Sequence, residues 1–502
     1  MPDIIWQLVS FLSFFFFLWL LVRLLVSLLF WWYLWQRKEY RWDRLLAHFS
    51  LSQGRHQLLQ AFNPFALPWR RPQLTLRLLL LAFFSLAGQY QLYFWLLRFF
   101  SRWVRQWPIL LFPVFSVALL VTFWLAPFLV GLTNGLVYLL FWPLHRLVIQ
   151  AAKQKLVRIK PLVVGITGSF GKSTTKEILK QVLATKFKVV ATDGSVNTLL
   201  GIAKTILRKL RATHEVFIVE MGAYKAGEIR QLARMVRPTI GIITGINPQH
   251  GQLFGSQEKI AQAKYELIEQ LPKTGLAVFN GDNKIALALS RRTAISAVKV
   301  YHQPTKPYKT KLLGRFQQLN IQAALSVADY LEVDRTRALE AIENLELSEI
   351  SLRLTRGRAG CLVLNDSRNS NPDGFWEALE VLASLSAERK LVVTSGVVEL
   401  GPVGPVVHRR LGKRIAQVAD ELILTSNNYV ADFKRGAGEA FADKITVAGG
   451  KASLASLLKK RARLGVVFLL EGWNWEAKKV LLNKKSQGRT DRKVAKDQND
   501  DS

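Results

Sequence analysis

The strongest restriction on this chain is an apolar run from Ile4 to Trp35, interrupted only by Arg23. A bilayer core takes about 20 mainly apolar residues in helical form. Soluble helices keep a polar face, and 11–22 has almost none. The stretches 74–97 and 109–141 are long enough as well; Arg77 stands near one end of the first, where its stem can snorkel, and Pro113 and Pro127 interrupt the second. Three transmembrane helices (4–35, 74–97, 109–141) are therefore expected within a membrane region 1–150. The apolar residues 14–21 lack the small-residue cleavage site of a signal peptide, so the first span is expected to stay as an anchor. Gly131 and Gly135 have the spacing that lets helices approach closely.

Basic residues orient these spans. Residues 36–73 carry Arg37, Lys38, Arg41, Arg44, Arg55, Arg70 and Arg71, and the segment after the third span carries Arg146, Lys153, Lys155, Arg158 and Lys160. The link between spans two and three holds only Arg98, Arg102 and Arg105. Positively charged flanks stay on the cytoplasmic side, so 36–73 and everything after 145 are expected to face the cytoplasm. Trp31, Trp32, Tyr33 and Trp35, just before Arg37 and Lys38, form an interfacial aromatic belt.

Beyond residue 160 the composition becomes that of a soluble enzyme. The single cysteine, Cys361, excludes a disulfide framework and any multi-cysteine metal site, and its apolar neighbours Leu362–Leu364 point to core packing. The net charge of +33 has no nucleic-acid motif beside it, so no nucleic-acid partner is expected; anionic membrane lipids are the expected electrostatic partner.

The apolar strand pattern Leu162–Ile166 leads into Thr167, Gly168, Ser169, Phe170, Gly171, Lys172, Ser173 and Thr174, and a helical pattern follows from Thr175 to Leu183. Strand, glycine loop, Lys-Ser and helix is the order a nucleotide phosphate site needs. Gly168 and Gly171 let backbone N–H groups curl around phosphates at a helix N-terminus, where negative charge is favoured. Lys172 is placed to reach the β/γ-phosphates and Ser173 to offer its hydroxyl to Mg²⁺. Ile166 stands where the strict motif has its first glycine.

This octapeptide resembles the shortened phosphate loop of the Mur ligases, ATP-dependent amide-forming enzymes of peptidoglycan synthesis, and most of all the branch that adds D-alanyl-D-alanine. The resemblance runs from about 160 to 475 through Asn197–Gly201, Val219–Ala223 with Gly227–Ile229, Ala263–Glu266, Asn280–Asn283, Asp366–Pro372, and Glu399–Gly401 followed by His408. After the transmembrane helices read from the apolar runs, it implies an α/β chain with a P-loop parallel-sheet central ATP-binding domain (151–313) and a Rossmann-like C-terminal domain (314–483). A charged tail (484–502), without apolar period, is expected to be disordered.

The resemblance also implies roles. Lys172, Glu220, His250 and Lys264 would be catalytic, with Ser173 and Glu220 holding one Mg²⁺, and His250 and Lys264, often carbamylated in the family, the second. Asn280 and Asn320 would contact adenine; Arg353 and Asp366 would close over phosphate and ribose; Asn197, Asn369 and Asn371 would face substrate. The implied reaction joins a peptidoglycan precursor to an amino acid or D-Ala-D-Ala through an acyl phosphate. Alternatives are a ligase acting on a lipid-linked rather than UDP-linked precursor, and a catalytically idle nucleotide-binding scaffold.

Departures from the family pattern gather away from the phosphate chemistry. The N-terminal uridine-binding domain is replaced by the apolar region. Phe316 and Gln317 stand in place of His-Asn, Arg368 of Tyr, Ser395 and Gly396 of Gly-Asp, and Glu471-Gly-Trp-Asn474 of Lys-Gly-Ser-Arg.

Overall fold

The computed structural model describes residues 2–50, 52–65, 70–107, 110–247, 254, 256–345, 352–367, 371–397, 400–472 and 474–482. The chain divides into two units that part between Arg146 and Leu147.

The first unit is helical. Helices Pro2–Arg37, Leu76–Gln106 and Leu111–Ile159 each contain a stretch long and apolar enough to cross a membrane. Two of them run well past the expected 97 and 141, because bilayer thickness limits the apolar stretch and not the hydrogen-bonded helix that carries it. The short helices Trp42–Ser50 and Ser52–Ala61 lie between the first two. Trp31, Trp35, Leu81, Phe123 and Ala126 are buried together, while Phe11, Phe15, Val22 and Phe83 stay exposed. A Cβ on Gly131 would sit 2.8 Å from the Trp42 ring, so this glycine admits a close approach; Gly135 has nothing within 4 Å of that position. The interior is also more polar than the apolar runs suggest. Trp32 Nε1 donates to Ser85 Oγ at 3.0 Å. Ser27 Oγ, Ser116 Oγ, the Gln89 amide, and Arg23 Nε and Nη2 are buried without hydrogen-bond partners among the described residues.

The second unit holds two six-stranded sheets. In the first, β1 (Leu162–Thr167), β2 (Val189–Ala191), β3 (Val216–Glu220), β4 (Ile240–Ile243), β5 (Leu276–Asn280) and β6 (Ala297–Tyr301) are all parallel, in the order β2-β3-β1-β4-β5-β6. Strands covered by helices on both faces read as continuous apolar runs, as Leu162–Ile166 does. Phe217, Val219 and Phe279 pack on one face with the helices Leu199–Lys209, Glu228–Val236 and Gln257–Glu269. Val164, Ile166, Ile218 and Val278 pack on the other with Lys172–Leu183, Phe316–Tyr330 and Arg335–Glu343. The boundary drawn at 313 thus falls ahead of two helices that pack on the first sheet. Chain order reverses on either side of β1, so the loop after β1 opens into the crevice where doubly wound sheets bind ligands.

The second sheet has the order β11-β10-β9-β12-β8-β7. Its strands are β7 (Arg353–Arg356), β8 (Leu362–Asp366), β9 (Arg389–Thr394), β10 (Glu421–Leu424), β11 (Ile445–Val447) and β12 (Val466–Glu471). All pair in parallel except the edge strand β7. Cys361 is fully buried beside Val363, Leu391 and Phe468, the core role its neighbours suggest. The residues 484–502 lie outside those described.

Phe468 is fully buried at the middle of this sheet. Phe468→Ala is expected to destabilise the C-terminal domain by about 3–5 kcal/mol, read as a lower denaturant midpoint in urea unfolding followed in that domain.

Candidate active site

The site is built around the end of β1. Gly168 has φ +155° and Gly171 φ +78°, conformations that favour glycine. A Cβ on Gly168 would collide with Thr244 Oγ1, and one on Gly171 would lie 2.6 Å from Asn320 Oδ1. The turn is clasped from β4: Ser169 N–H donates to Gly245 O (2.7 Å), Thr244 N–H to Thr167 O (2.9 Å), and Thr244 Oγ1 to Phe170 O. Thr167 Oγ1 donates to Met221 O at 3.0 Å, joining the loop to the end of β3. Helix Lys172–Leu183 starts directly from Gly171, with no side-chain cap on its first N–H groups. Uncapped N–H groups at a helix start are what an anion would use.

Glu220 is the last residue of β3, paired in register with Ile166 of β1, and is buried. Strand pairing therefore places its carboxylate at the phosphate loop: Ser173 Oγ donates to Glu220 Oε2 at 2.7 Å, and Asn197 Nδ2 to Oε1 at 3.3 Å. Lys172 Nζ donates to Gly168 O (2.7 Å), and Lys264 Nζ donates to the same oxygen (2.9 Å) from the helix Gln257–Glu269. Burial pulls the Lys172 amine below its ordinary range, and Glu220 pulls it back up. Lys264 lies well below the usual lysine range, first through burial and then through the Lys172 charge beside it, which favours a neutral amine.

The remaining expected positions fall into three groups. Asn280 and Asn320 border the loop with their amides engaged: Asn280 Nδ2 donates to Thr244 O (2.7 Å), and Asn320 Oδ1 accepts from Thr175 Oγ1 (3.2 Å). Arg353, Asp366 and Asn371 belong to the second sheet and its connections, where Asn371 Oδ1 caps the helix Pro372–Ser384 by accepting from Gly374 N–H (2.9 Å). His250 and Asn369, with Arg368 and Glu399, lie outside the described residues. His408 is an internal tie: its Nε2 accepts from Val397 N–H (3.0 Å), so Nδ1 carries the proton and donates to Gly404 O (2.7 Å). Burial holds its pKa down to about 4.

Two features escaped the sequence reading. Lys176 is fully buried, with Nζ donating to Gly194 O (2.5 Å) and lying 3.9 Å from Glu220 Oε2. Its place one turn after Lys172 was the available signal. Asn247, whose N–H donates to Ser169 Oγ (3.2 Å), also donates through Nδ2 to Asp373 Oδ2 (2.7 Å), linking the phosphate loop to the third domain. Next to Asp373 a cleft opens between Trp376, Glu377, Val407 and Arg410, with the Arg410 guanidinium 4.7 Å from the Trp376 ring centre.

No group of three or more His, Cys, Asp or Glu side chains is placed to hold a metal among the described residues. A hydroxyl and a carboxylate in contact at a phosphate loop nevertheless suit Mg²⁺, which takes few protein oxygens and completes its shell with phosphate and water.

A glycine turn at the switch point of a parallel sheet, with Lys, Ser and Glu gathered on it, defines a P-loop nucleotide-binding enzyme. Residues 166–307 match the Mur ligase middle domain, and residues 352–472 match the Mur ligase, glutamate ligase domain. The UDP-N-acetylmuramoyl-tripeptide–D-alanyl-D-alanine ligase of Mycobacterium tuberculosis (strain CDC 1551 / Oshkosh) is 30% identical over 360 residues, 62% of this chain and 70% of that protein. The Bacillus subtilis (strain 168) ligase of the same name is 28% identical over 344 residues, 64% of this chain and 75% of its own. MurF ligase from Thermotoga maritima, solved with ADP, superposes with a TM-score of 0.58 at 24% identity, covering 67% of this chain and 82% of that one. MurF from Acinetobacter baumannii gives 0.59 at 21%, over 66% and 78%. The chain belongs to the Mur ligase family and is an ATP-dependent ligase.

Gly168→Ala tests the turn. With a Cβ driven into Thr244, ADP affinity is expected to fall at least about tenfold in calorimetric titration while the protein stays folded by circular dichroism.

Proposed function

We propose that this chain joins a carboxylate of a peptidoglycan precursor to an incoming amine, most closely in the manner of D-alanyl-D-alanine addition, from the cytoplasmic face of a membrane. The observation that carries this reading is the contact of Ser173 with Glu220 on a glycine turn that also holds Lys172 and Lys264.

The first step is attack of the substrate carboxylate oxygen on the γ-phosphorus of ATP, releasing ADP and leaving an acyl phosphate. The amine nitrogen then attacks the acyl carbon, phosphate departs with the C–O electron pair, and the amine loses its proton. Two anions must approach in the first step, so this chain supplies positive charge there. Lys172 rests on the loop carbonyls until phosphate oxygens give it a better partner, and the uncapped N–H groups at the start of the helix Lys172–Leu183 serve as phosphate donors. Mg²⁺, held by Ser173 and Glu220, would neutralise the charge developing on the phosphates. A second Mg²⁺ is assigned to His250 and Lys264, the latter after carbamylation, for which its neutral amine is the reactive form.

Contact with adenine is assigned to Asn280 and Asn320, contact with phosphate and ribose to Arg353 and Asp366, and recognition of the acyl and amine substrates to Asn197, Asn369 and Asn371. The cleft beside Asp373 is lined by the carboxylates Asp373 and Glu377 and by the Arg410 guanidinium, opposite charges that suit a small zwitterion. The three apolar helices support an anchored enzyme with 36–73 and the ligase domains on the cytoplasmic side. A precursor carried on a lipid is the second reading, favoured by apolar helices standing where the family has its uridine-binding domain.

The purified chain in detergent, given ATP and Mg²⁺, is expected to release ADP and phosphate only when a UDP-muramoyl peptide or its lipid-linked form and an amine are both present. Lys172→Ala is expected to lower that rate by at least about 100-fold. Release without the amine, or an unchanged rate in the variant, contradicts the reading.

A further inference from the structure

β8 and β12 end side by side, with Asp366 and Glu471 as register partners on adjacent parallel strands. Asp366 is 5% exposed and Glu471 1%. Asp366 Oδ1 and both Glu471 carboxyl oxygens are buried without a hydrogen-bond donor among the described residues. An ionised carboxylate only accepts, so two facing carboxylates cannot satisfy each other. Leaving both charged in this setting would be far costlier than keeping one proton between them.

Among the described residues, the neighbouring strands bring no ammonium or guanidinium into register with the pair. Thr394 of β9 is the partner of Glu471 on the other side, and Arg353 of β7 is paired with Asn365, one residue before Asp366. Asn474 donates through Nδ2 to the Glu471 backbone carbonyl (2.6 Å), not to its carboxyl. Lys478 Nζ lies 5.4 Å from the Trp475 ring centre, Glu476 pairs with Lys451, Asp373 is held by Asn247, and His408 is bonded to Gly404 and Val397. Burial raises Asp366 to about 7, against the opposing pull of hydrogen bonds with Glu471 and the Leu352 backbone, while burial and then Asp366 raise Glu471 well above the usual carboxyl range.

We propose that Glu471 is a positioning residue for Asp366: one proton shared between their carboxyl groups ties the ends of β8 and β12 and holds Asp366 in the orientation used against the nucleotide. The second half rests on the nucleotide role proposed for Asp366. The shared proton is lost as pH rises into the raised range of Glu471.

The sign follows from linkage. Both carboxyls bind their proton more tightly folded than unfolded, so stability is highest below the ordinary carboxyl range and declines as pH rises, through about 7 for Asp366 and then through the higher range of Glu471. The test uses the full chain in detergent, as wild type, Glu471→Gln and Asp366→Asn, with two measurements between pH 5.5 and 8.5. Urea unfolding of the C-terminal domain reads the shared proton without any ligand. Titration with ADP reads positioning. Glu471→Gln keeps a donor that does not titrate, so its unfolding midpoint should change less with pH than the wild type's and exceed it at pH 8.5. ADP affinity of the wild type should fall about tenfold across the range, while that of Glu471→Gln stays within about twofold. Matching pH dependence of unfolding in wild type and Glu471→Gln overturns the shared proton. A pH-dependent midpoint beside ADP affinity that is equally flat in both proteins overturns the positioning role. Absence of ADP binding at every pH contradicts the nucleotide reading instead, and leaves the unfolding result to decide the proton.

Discussion

Everything chemical in this protein depends on how the turn after β1 is held. A glycine loop free in solution has no reason to point several N–H groups at one place. Here it is clasped from neighbouring segments: Thr244 and Gly245 at the end of β4, Met221 after β3, and Lys264 from a helix. Asn280, at the end of β5, in turn holds the Thr244 carbonyl. β1 lies between β3 and β4, so parallel pairing brings these strand ends to one edge of the sheet. The backbone strain of Gly168 and the burial of two lysines are tolerated because this frame is rigid. Preorganised positive charge is what two mutually repelling anions require before they can react.

Much of this was legible in the residues. Strands buried on both faces show as short apolar runs, so β1, β9, β10 and β12 could be placed closely from Leu162–Ile166, 391–394, 421–425 and 466–470. The phosphate loop was legible because only glycine accepts its geometry and because Lys-Ser follows at a fixed spacing. The apolar helices were legible from length alone, whereas their ends were not: hydrogen bonding carries Leu76–Gln106 beyond the hydrophobic stretch.

Contacts that depend on strand order or on bridging between distant segments were not legible. Nothing local to Glu471 shows that β12 inserts between β9 and β8 and faces it with Asp366. Asn247 and Asp373 are 126 positions apart and meet only because the third domain packs near the loop. Lys176 resembles any lysine on a helix until the fold buries it beside Glu220. His408 illustrates the reverse: a histidine that follows a family motif, whose ring is spent on two backbone groups.

The most direct measurement is a crystal structure of the chain with a non-hydrolysable ATP analogue and Mn²⁺, with the metal located by anomalous scattering. The account predicts an anomalous peak within ligand distance of Ser173 Oγ and Glu220, and phosphate oxygens replacing Gly168 O as the partner of Lys172 Nζ. Triphosphate bound away from 167–174, or a metal with neither Ser173 nor Glu220 in its shell, would contradict it.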